Sequence, residues 1–277
     1  MIREATEPEI RTVLGWTHAL WGDNRPFEGY VERIAKQMAT RWGRTGYHFA
    51  VGLVGGQPVT ACKRYRLRFG GVPTVGFGAV FTPEEHRGKG HAAELISGVM
   101  AQERAPYALL YSDIDPLYYI RLGFQPYPAY WVTATAEAGP VPFRPLAPYE
   151  RAEALAIQLP GEFRPDRSPD YWDYLHERSP VELYAFVPDG TIRGWVAFEQ
   201  EEDQLWLAAA GYDAEPEQFW QGLRALTAQH GVPKINGWGP RVAADHGYAY
   251  EVVKSPVPMI AGENLPKAVT WWGLDHF

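Results

Sequence analysis

Apolar positions recur along this chain with two different periods, and the switches between them mark its elements. Ile2 to Ala5 alternates as a short strand. Thr6-Glu7-Pro8-Glu9 follows, with a threonine at the N-cap, a proline in the first turn and a glutamate three residues after the cap. That combination starts a helix, which the apolar spacing carries to about Leu20. Trp21-Gly22-Asp23-Asn24-Arg25-Pro26 breaks it, and a second helical stretch extends to about Trp42. Tyr47–Val54 and Gln57–Phe69 read as strands joined by Gly55-Gly56, a hairpin signal. Gly70-Gly71 turns the chain into another β-favouring run, Val75 to Phe81, which stops at Pro83. Helical spacing then returns at Ala92, Leu95, Ile96, Val99 and Met100. A short buried strand (108–112), a helix around Tyr119 and a last strand (124–134) complete an α/β unit of order βααβββαβαβ.

Residues 136–150 hold four prolines and a glycine and read as a linker. Beyond it the first pattern recurs faintly. Leu183–Val187, Ile192–Glu199 and Gln204–Tyr212 are strand-like, Glu215–His230 is helical, and Lys234–Trp238 is a strand. Gly247-Tyr248 then opens another strand much as Gly123-Phe124 does. The expected division is a first unit at 1–135, the linker at 136–150, and a second, degenerate copy at 151–277.

At 277 residues with 46% hydrophobic and 21% charged residues, the chain suits two globular domains and excludes a disordered class. A single cysteine, Cys62, excludes a disulfide framework and a cysteine-built zinc site, and no metal is expected. Its strand-like surroundings predict a buried, inert thiol. No apolar stretch approaches the ~20 residues that span a bilayer, and Met1-Ile2-Arg3-Glu4 lacks the basic-then-apolar order of a signal peptide. The expectation is a cytoplasmic protein without a membrane partner. A formal net charge of −7 disfavours nucleic acid and draws cationic substrates. A homodimer is compatible with all of this.

Candidate chemistry concentrates between Val75 and Ala92. A strand is followed by Arg87-Gly88-Lys89-Gly90-His91-Ala92 and at once by a helix. This order aims several backbone N–H groups, with the positive end of the helix dipole, at one spot that suits phosphate oxygens. Gly88 and Gly90 allow close approach and positive φ, and Arg87 and Lys89 add cationic side chains. The spacing is neither a P-loop nor a dinucleotide-binding fingerprint. Arg87-x-x-Gly90-x-Ala92 after a strand, with Tyr119-x-x-x-Gly123-Phe124 downstream, resembles the GNAT superfamily of N-acetyltransferases. The resemblance covers 1–135 and implies a mixed central sheet flanked by helices. The second half is similar to a further copy, as in tandem members of the superfamily.

The resemblance implies acetyl-CoA as cofactor, its pyrophosphate on Arg87, Gly88, Lys89, Gly90, His91 and Ala92. Val80 and Phe81 would pair with the pantetheine like an added strand, with Ser112 nearby. Tyr119 would stand at the sulfur as hydrogen-bond donor to the departing thiolate, and the acceptor would be a small-molecule or peptide amine. Walls of the amine site would come from the first helices, here with Trp16, Trp21 and Trp42, with Asp113 and the terminal Phe277 as further candidates. Larger tandem acetyltransferases that act on aminoglycosides use a terminal carboxylate, and the ending Trp271-Trp272-Gly273-Leu274-Asp275-His276-Phe277 is loosely similar. A tail packed on the core is the alternative. The general base is open: Val75 to Phe81 holds no acid, Asp115 before Pro116 suits a helix N-cap, Glu84 and Glu85 suit solvent, and His48 suits structure. The second copy lacks the machinery, having Asp213-Ala214-Glu215-Pro216-Glu217 at the loop and Ala243 in place of Tyr119. The competing function is a non-catalytic acyl-CoA-binding regulator.

Overall fold

Two units, each built on a mixed seven-stranded sheet, make up the chain. They are seen in a computed structural model that describes residues 1–159, 165–213, 215–267 and 269–276. The first unit begins with β1 (Ile2–Glu4), α1 (Glu7–Trp21), α2 (Phe27–Ala39) and a short α3 (Gly43–Gly46). The hairpin β2 (Tyr47–Val54) and β3 (Gln57–Phe69) follows, then β4 (Val72–Phe81), α4 (His91–Glu103), β5 (Tyr107–Ser112), α5 (Leu117–Ile120) and β6 (Phe124–Pro126). α1 starts as its sequence dictates. Thr6 is the N-cap, its amide donates to Glu9 Oε2 at 2.8 Å, and Arg3 grips the same carboxylate at 2.7 and 2.8 Å. α2 ends at Ala39, short of Trp42, because Thr40 turns extended and its hydroxyl bridges the Gln37 carbonyl and the Gly43 amide.

The second unit holds β7 (Tyr130–Thr135), β8 (Phe143–Pro145), α6 (Arg151–Ala156), α7 (Pro169–Arg178) and the strands β9 (Glu182–Phe186), β10 (Gly194–Gln200) and β11 (Leu205–Tyr212). α8 (Pro216–Gln229), β12 (Lys234–Gly239) and β13 (Ala249–Val252) complete it. The chain then returns to the first sheet with β14 (Val257–Gly262).

The strand orders explain the return. The first sheet runs β1-β2-β3-β4-β5-β14-β6, and the second, read from its far edge, runs β8-β9-β10-β11-β12-β7-β13. The parallel pair β4–β5, connected through α4, matches the parallel pair β11–β12, connected through α8. The sixth place of each sheet is filled by the strand that follows the other copy's last one. This corrects two sequence expectations. The strand expected over 124–134 breaks at Pro126 and Pro128, and β7 pairs with β12 and β13 rather than with the first sheet. The stretch expected to be a linker contains β8, which pairs with β9 at the sheet edge, where prolines are tolerated because no ladder donor is needed.

In the first unit Phe49, Val51, Tyr65, Phe77, Leu95, Ile96 and Val99 are buried in the core. Arg64 is buried too and bridges Glu4 at 2.8 Å and Glu103 at 2.9 Å, with His48 bonded to Glu4 at 3.0 Å, so His48 belongs to a structural ion network. In the second unit the tail packs on its own core: Trp271 and Trp272 are buried, and Asp275 meets Arg167 at 2.6 Å with both side chains fully buried. Arg178 donates to the Leu274 carbonyl, and His276 stacks on Trp238 at 5.9 Å. Phe277 lies outside the described residues. Among the described residues no helix is long and apolar enough to cross a membrane.

Candidate active site

β4 carries the feature on which the site depends. β4 and β5 are paired only from Thr74/Tyr107 to Phe77/Leu110, although β4 continues to Phe81 and β5 to Ser112. On the other flank Lys63 pairs with Gly78 but Ala61 pairs with Phe81, so β4 holds one extra residue in that interval. This is a β-bulge, which bends a strand and ends its pairing. Ala79 lies inside it at φ +45°, a conformation alanine adopts only under strain. On its β5 side the stretch Gly78–Phe81 has no pairing partner, whereas on its β3 side Phe81 still pairs with Ala61. Thr60 fixes the bent end, its hydroxyl donating to the Phe81 carbonyl at 3.0 Å and meeting the Thr82 hydroxyl at 2.9 Å. Neither Thr60 nor Ala79 stands out in the sequence.

Past Phe81 the chain makes a single 3-10 turn (Glu84–His86) and enters the glycine loop. Gly88 lies at φ +74° and Gly90 at φ +81°, both left-handed, and a Cβ built on either meets nothing within 4 Å. The glycines therefore serve backbone conformation and leave open space beside the loop. Gly90 is the N-cap of α4. It has no side-chain oxygen to bond the amides of the first turn, so these donors point out of the helix without a capping partner. Arg87 locks the loop to β4, donating from Nε to the Thr82 carbonyl at 3.0 Å with its guanidinium 5.8 Å over the Phe81 ring. Lys89 Nζ donates to the Glu85 carbonyl at 3.0 Å. His91 and Ala92 form the first turn of α4, with Glu94 making the first helical bond to Gly90 at 3.0 Å.

Tyr119 sits in α5, buried, with Tyr118 edge-on at 5.0 Å and Phe124 at 6.1 Å. Burial, reinforced by Tyr118, Asp113 and Cys62, pushes its phenol up to about 12. It is therefore a neutral donor throughout the physiological range, and among the described residues nothing takes its proton. Asp113 is exposed in the adjoining loop, and partial desolvation raises its carboxyl. Asp115 accepts from the Leu117 amide at 2.9 Å, the capping role its position before Pro116 predicts. The Ser112 hydroxyl is taken by the Ile114 carbonyl at 2.8 Å, so it shapes the turn. Cys62 is buried and its thiol is pushed up to about 12, which removes it as a nucleophile.

Trp16 and Trp21, on α1, bring their rings to 6.5 and 6.4 Å from that of Phe81. Trp42 instead packs over Gly46, where a Cβ would lie 2.4 Å from its ring.

At the corresponding place in the second unit, only Asp213, Ala214 and Glu215 separate β11 from α8, and Ala214 lies outside the described residues. α8 opens on Pro216, which lacks an amide donor, with Glu217 beside it. Its N-terminus therefore has one amide donor fewer and a carboxylate beside it, both unfavourable to an anion. Ala243 is buried in a 3-10 turn, and Gly247 keeps the left-handed turn of Gly123 at φ +86° against +91°.

Sheet order, bulged fourth strand, glycine loop and repeated architecture define a tandem GNAT fold. A GCN5-related N-acetyltransferase from Kribbella flavida aligns with TM-score 0.70 at 19% identity, over 94% of this chain and 71% of that one. A tandem GNAT protein from the clavulanic acid biosynthesis pathway aligns with TM-score 0.57 at 12% identity, over 96% of this chain and 99% of that one. A lysine acetyltransferase of Yarrowia lipolytica (strain CLIB 122 / E 150) is 31% identical over 109 residues, 34% of this chain. The match spans only 27% of that protein's length. No family model matches the chain.

Proposed function

We propose that the first unit transfers an acetyl group from acetyl-CoA to a primary amine by direct attack within a ternary complex. The observation behind this reading is the conjunction of a bulged strand that outruns its pairing with β5 and a left-handed glycine loop capping α4. One offers the backbone on its β5 side to a pantetheine arm, the other offers uncapped amides to a pyrophosphate. The open space at Gly88 and Gly90 fits such a ligand. Acetyl-CoA is a co-substrate and supplies the thioester carbonyl that the amine attacks.

The protein's share is positioning and charge. Backbone amides of β4 beyond the bulge meet the negative charge that grows on the carbonyl oxygen. Tyr119 donates a hydrogen bond to the departing sulfur. With its phenol at about 12 and an ordinary thiol near ~8.5, Tyr119 keeps its proton, and the proton that ends on sulfur comes from the amine. A covalent acetyl-cysteine route is closed by the burial of Cys62. No residue of Val72–Phe81 is acidic, so the amine proton leaves through water or Asp113. The second unit takes no cofactor in this reading.

Calorimetry with acetyl-CoA, followed by a thiol-release assay over a panel of amines, tests the proposal. Binding with amine-dependent thiol release is expected. Binding without release on any amine would leave the acyl-CoA-binding regulator standing instead.

A further inference from the structure

Trp16 and Trp21 approach Phe81 at interplanar angles of 31° and 82°. All three side chains are only half-buried. They form an angular, partly exposed aromatic wall at the end of β4, beyond the point where β5 pairs with it. The charges around this wall are mixed, with the exposed carboxylate of Asp113 among them. Arg87 lies over Phe81. Asp23, in the turn after Trp21, is bridged by Arg25 at 2.9 Å and by Arg33. The exposed Glu84 and Glu85 beyond Pro83 share their loop with Arg87 and Lys89. The overall charge of −7 draws cations to the molecule at large, but the wall itself presents three rings and the Arg87 guanidinium.

We propose that the acceptor is a primary monoamine on a flat aromatic body, held against Trp16, Trp21 and Phe81; this rests on the acetyltransferase reading above. Ring-to-ring contact in offset or edge geometry favours such a body over an aliphatic chain. β4 supplies no carboxylate to take the ammonium proton, and a monoamine has a single ammonium to neutralise where a polyamine has several. In the step itself the amine nitrogen bonds to the acetyl carbon and the carbon–sulfur bond breaks. The nitrogen loses one proton and the sulfur gains one, giving an N-acetyl arylalkylamine and the free CoA thiol.

Thiol release by the full chain is compared for phenethylamine, tryptamine, n-butylamine and spermidine at saturating acetyl-CoA. We expect kcat/KM for the arylalkylamines to exceed that for butylamine and spermidine by at least about tenfold. Trp21→Ala should raise KM for tryptamine by about tenfold with kcat within about twofold, the mark of lost uniform binding. Trp21→Phe should restore most of it. Spermidine turned over as well as tryptamine overturns the inference, as does an unchanged KM in a Trp21→Ala protein that still binds acetyl-CoA. Release with polyamines but not with arylalkylamines sinks the substrate class alone, whereas failure to bind acetyl-CoA sinks the parent reading with it.

Discussion

Substituting Gly90 by alanine adds one methyl group, and the structure says what it should cost. The residue sits at φ +81° and ψ +1°, and a Cβ there meets nothing within 4 Å. No clash contributes, so the whole penalty is that of holding an L-residue left-handed, about 1–2 kcal/mol. Gly98 on the same helix is the contrasting case: its backbone is helical, but a Cβ would lie 2.3 Å from Ile2 Cδ1, so the penalty there is collision with β1. The strain at residue 90 can be met in two ways. If the loop keeps its shape in the free protein, folding stability falls by ~1–2 kcal/mol, or roughly 2–8 °C in thermal midpoint. If the loop relaxes instead, stability is spared and the strain is met on binding, raising Kd for acetyl-CoA by about 5- to 30-fold. The two losses should sum to ~1–2 kcal/mol, measured as thermal unfolding and calorimetry on the same preparation. Gly90→Glu adds a carboxylate at the anion spot and should weaken binding by at least about tenfold more, with the excess shrinking as salt rises. A Gly90→Ala protein with unchanged midpoint and unchanged Kd refutes both the strain and the loop assignment.

Tyr119→Phe should lower kcat by about 10²-fold while leaving acetyl-CoA affinity near wild type, and the wild-type rate should show no alkaline loss from this phenol below about pH 10. Asp275→Ala leaves the buried Arg167 guanidinium without its partner and should cost about 3–5 kcal/mol in urea unfolding, most of it recovered by pairing the change with Arg167→Met. Glu9, held by Arg3 and the Thr6 amide, has its carboxyl lowered from 4.5 to about 2. Its contribution is complete above pH 4.5 and lost as pH falls toward 2, so Glu9→Gln should flatten that stretch of the stability curve while costing about 1 kcal/mol at neutral pH.

Local signals were legible where one residue type answers one physical demand. The Gly55-Gly56 hairpin, the capping box of α1 and the left-handed Gly88 and Gly90 follow from side-chain size and donor chemistry alone. Of the candidate site, what local residue types could place was the left-handed loop before α4 and the short helix around Tyr119. The bulge could not be placed, because Ala79 carries no mark of its positive φ and only the pairing of β3 with β4 reveals it. Ser112 resembled a ligand because the hydroxyl's partner, the Ile114 carbonyl, is invisible in sequence. Trp42 looked like a pocket wall because helical spacing continued past Thr40, whose side chain ends the helix by bonding backbone on both sides. The exchange of β7 and β14 lay out of reach for another reason. Alternation says that a strand has a buried face, and nothing in Tyr130–Thr135 says which sheet buries it.

That exchange places a condition on how the protein is made. β14 lies between β5 and β6, so the first sheet lacks an interior strand until residue 262 has emerged from the ribosome. At about 5–20 residues per second, the ribosome needs on the order of ten seconds to get from β6 to β14. During that interval β5 and β6 have open edges, the kind of surface that invites pairing with other chains. The nascent amino-terminal portion must wait in a soluble, unfinished state, and slowing elongation across the second unit should increase its demand for chaperones. For the same reason a gene fragment stopped near residue 135 encodes a sheet with a missing member, not a portable domain.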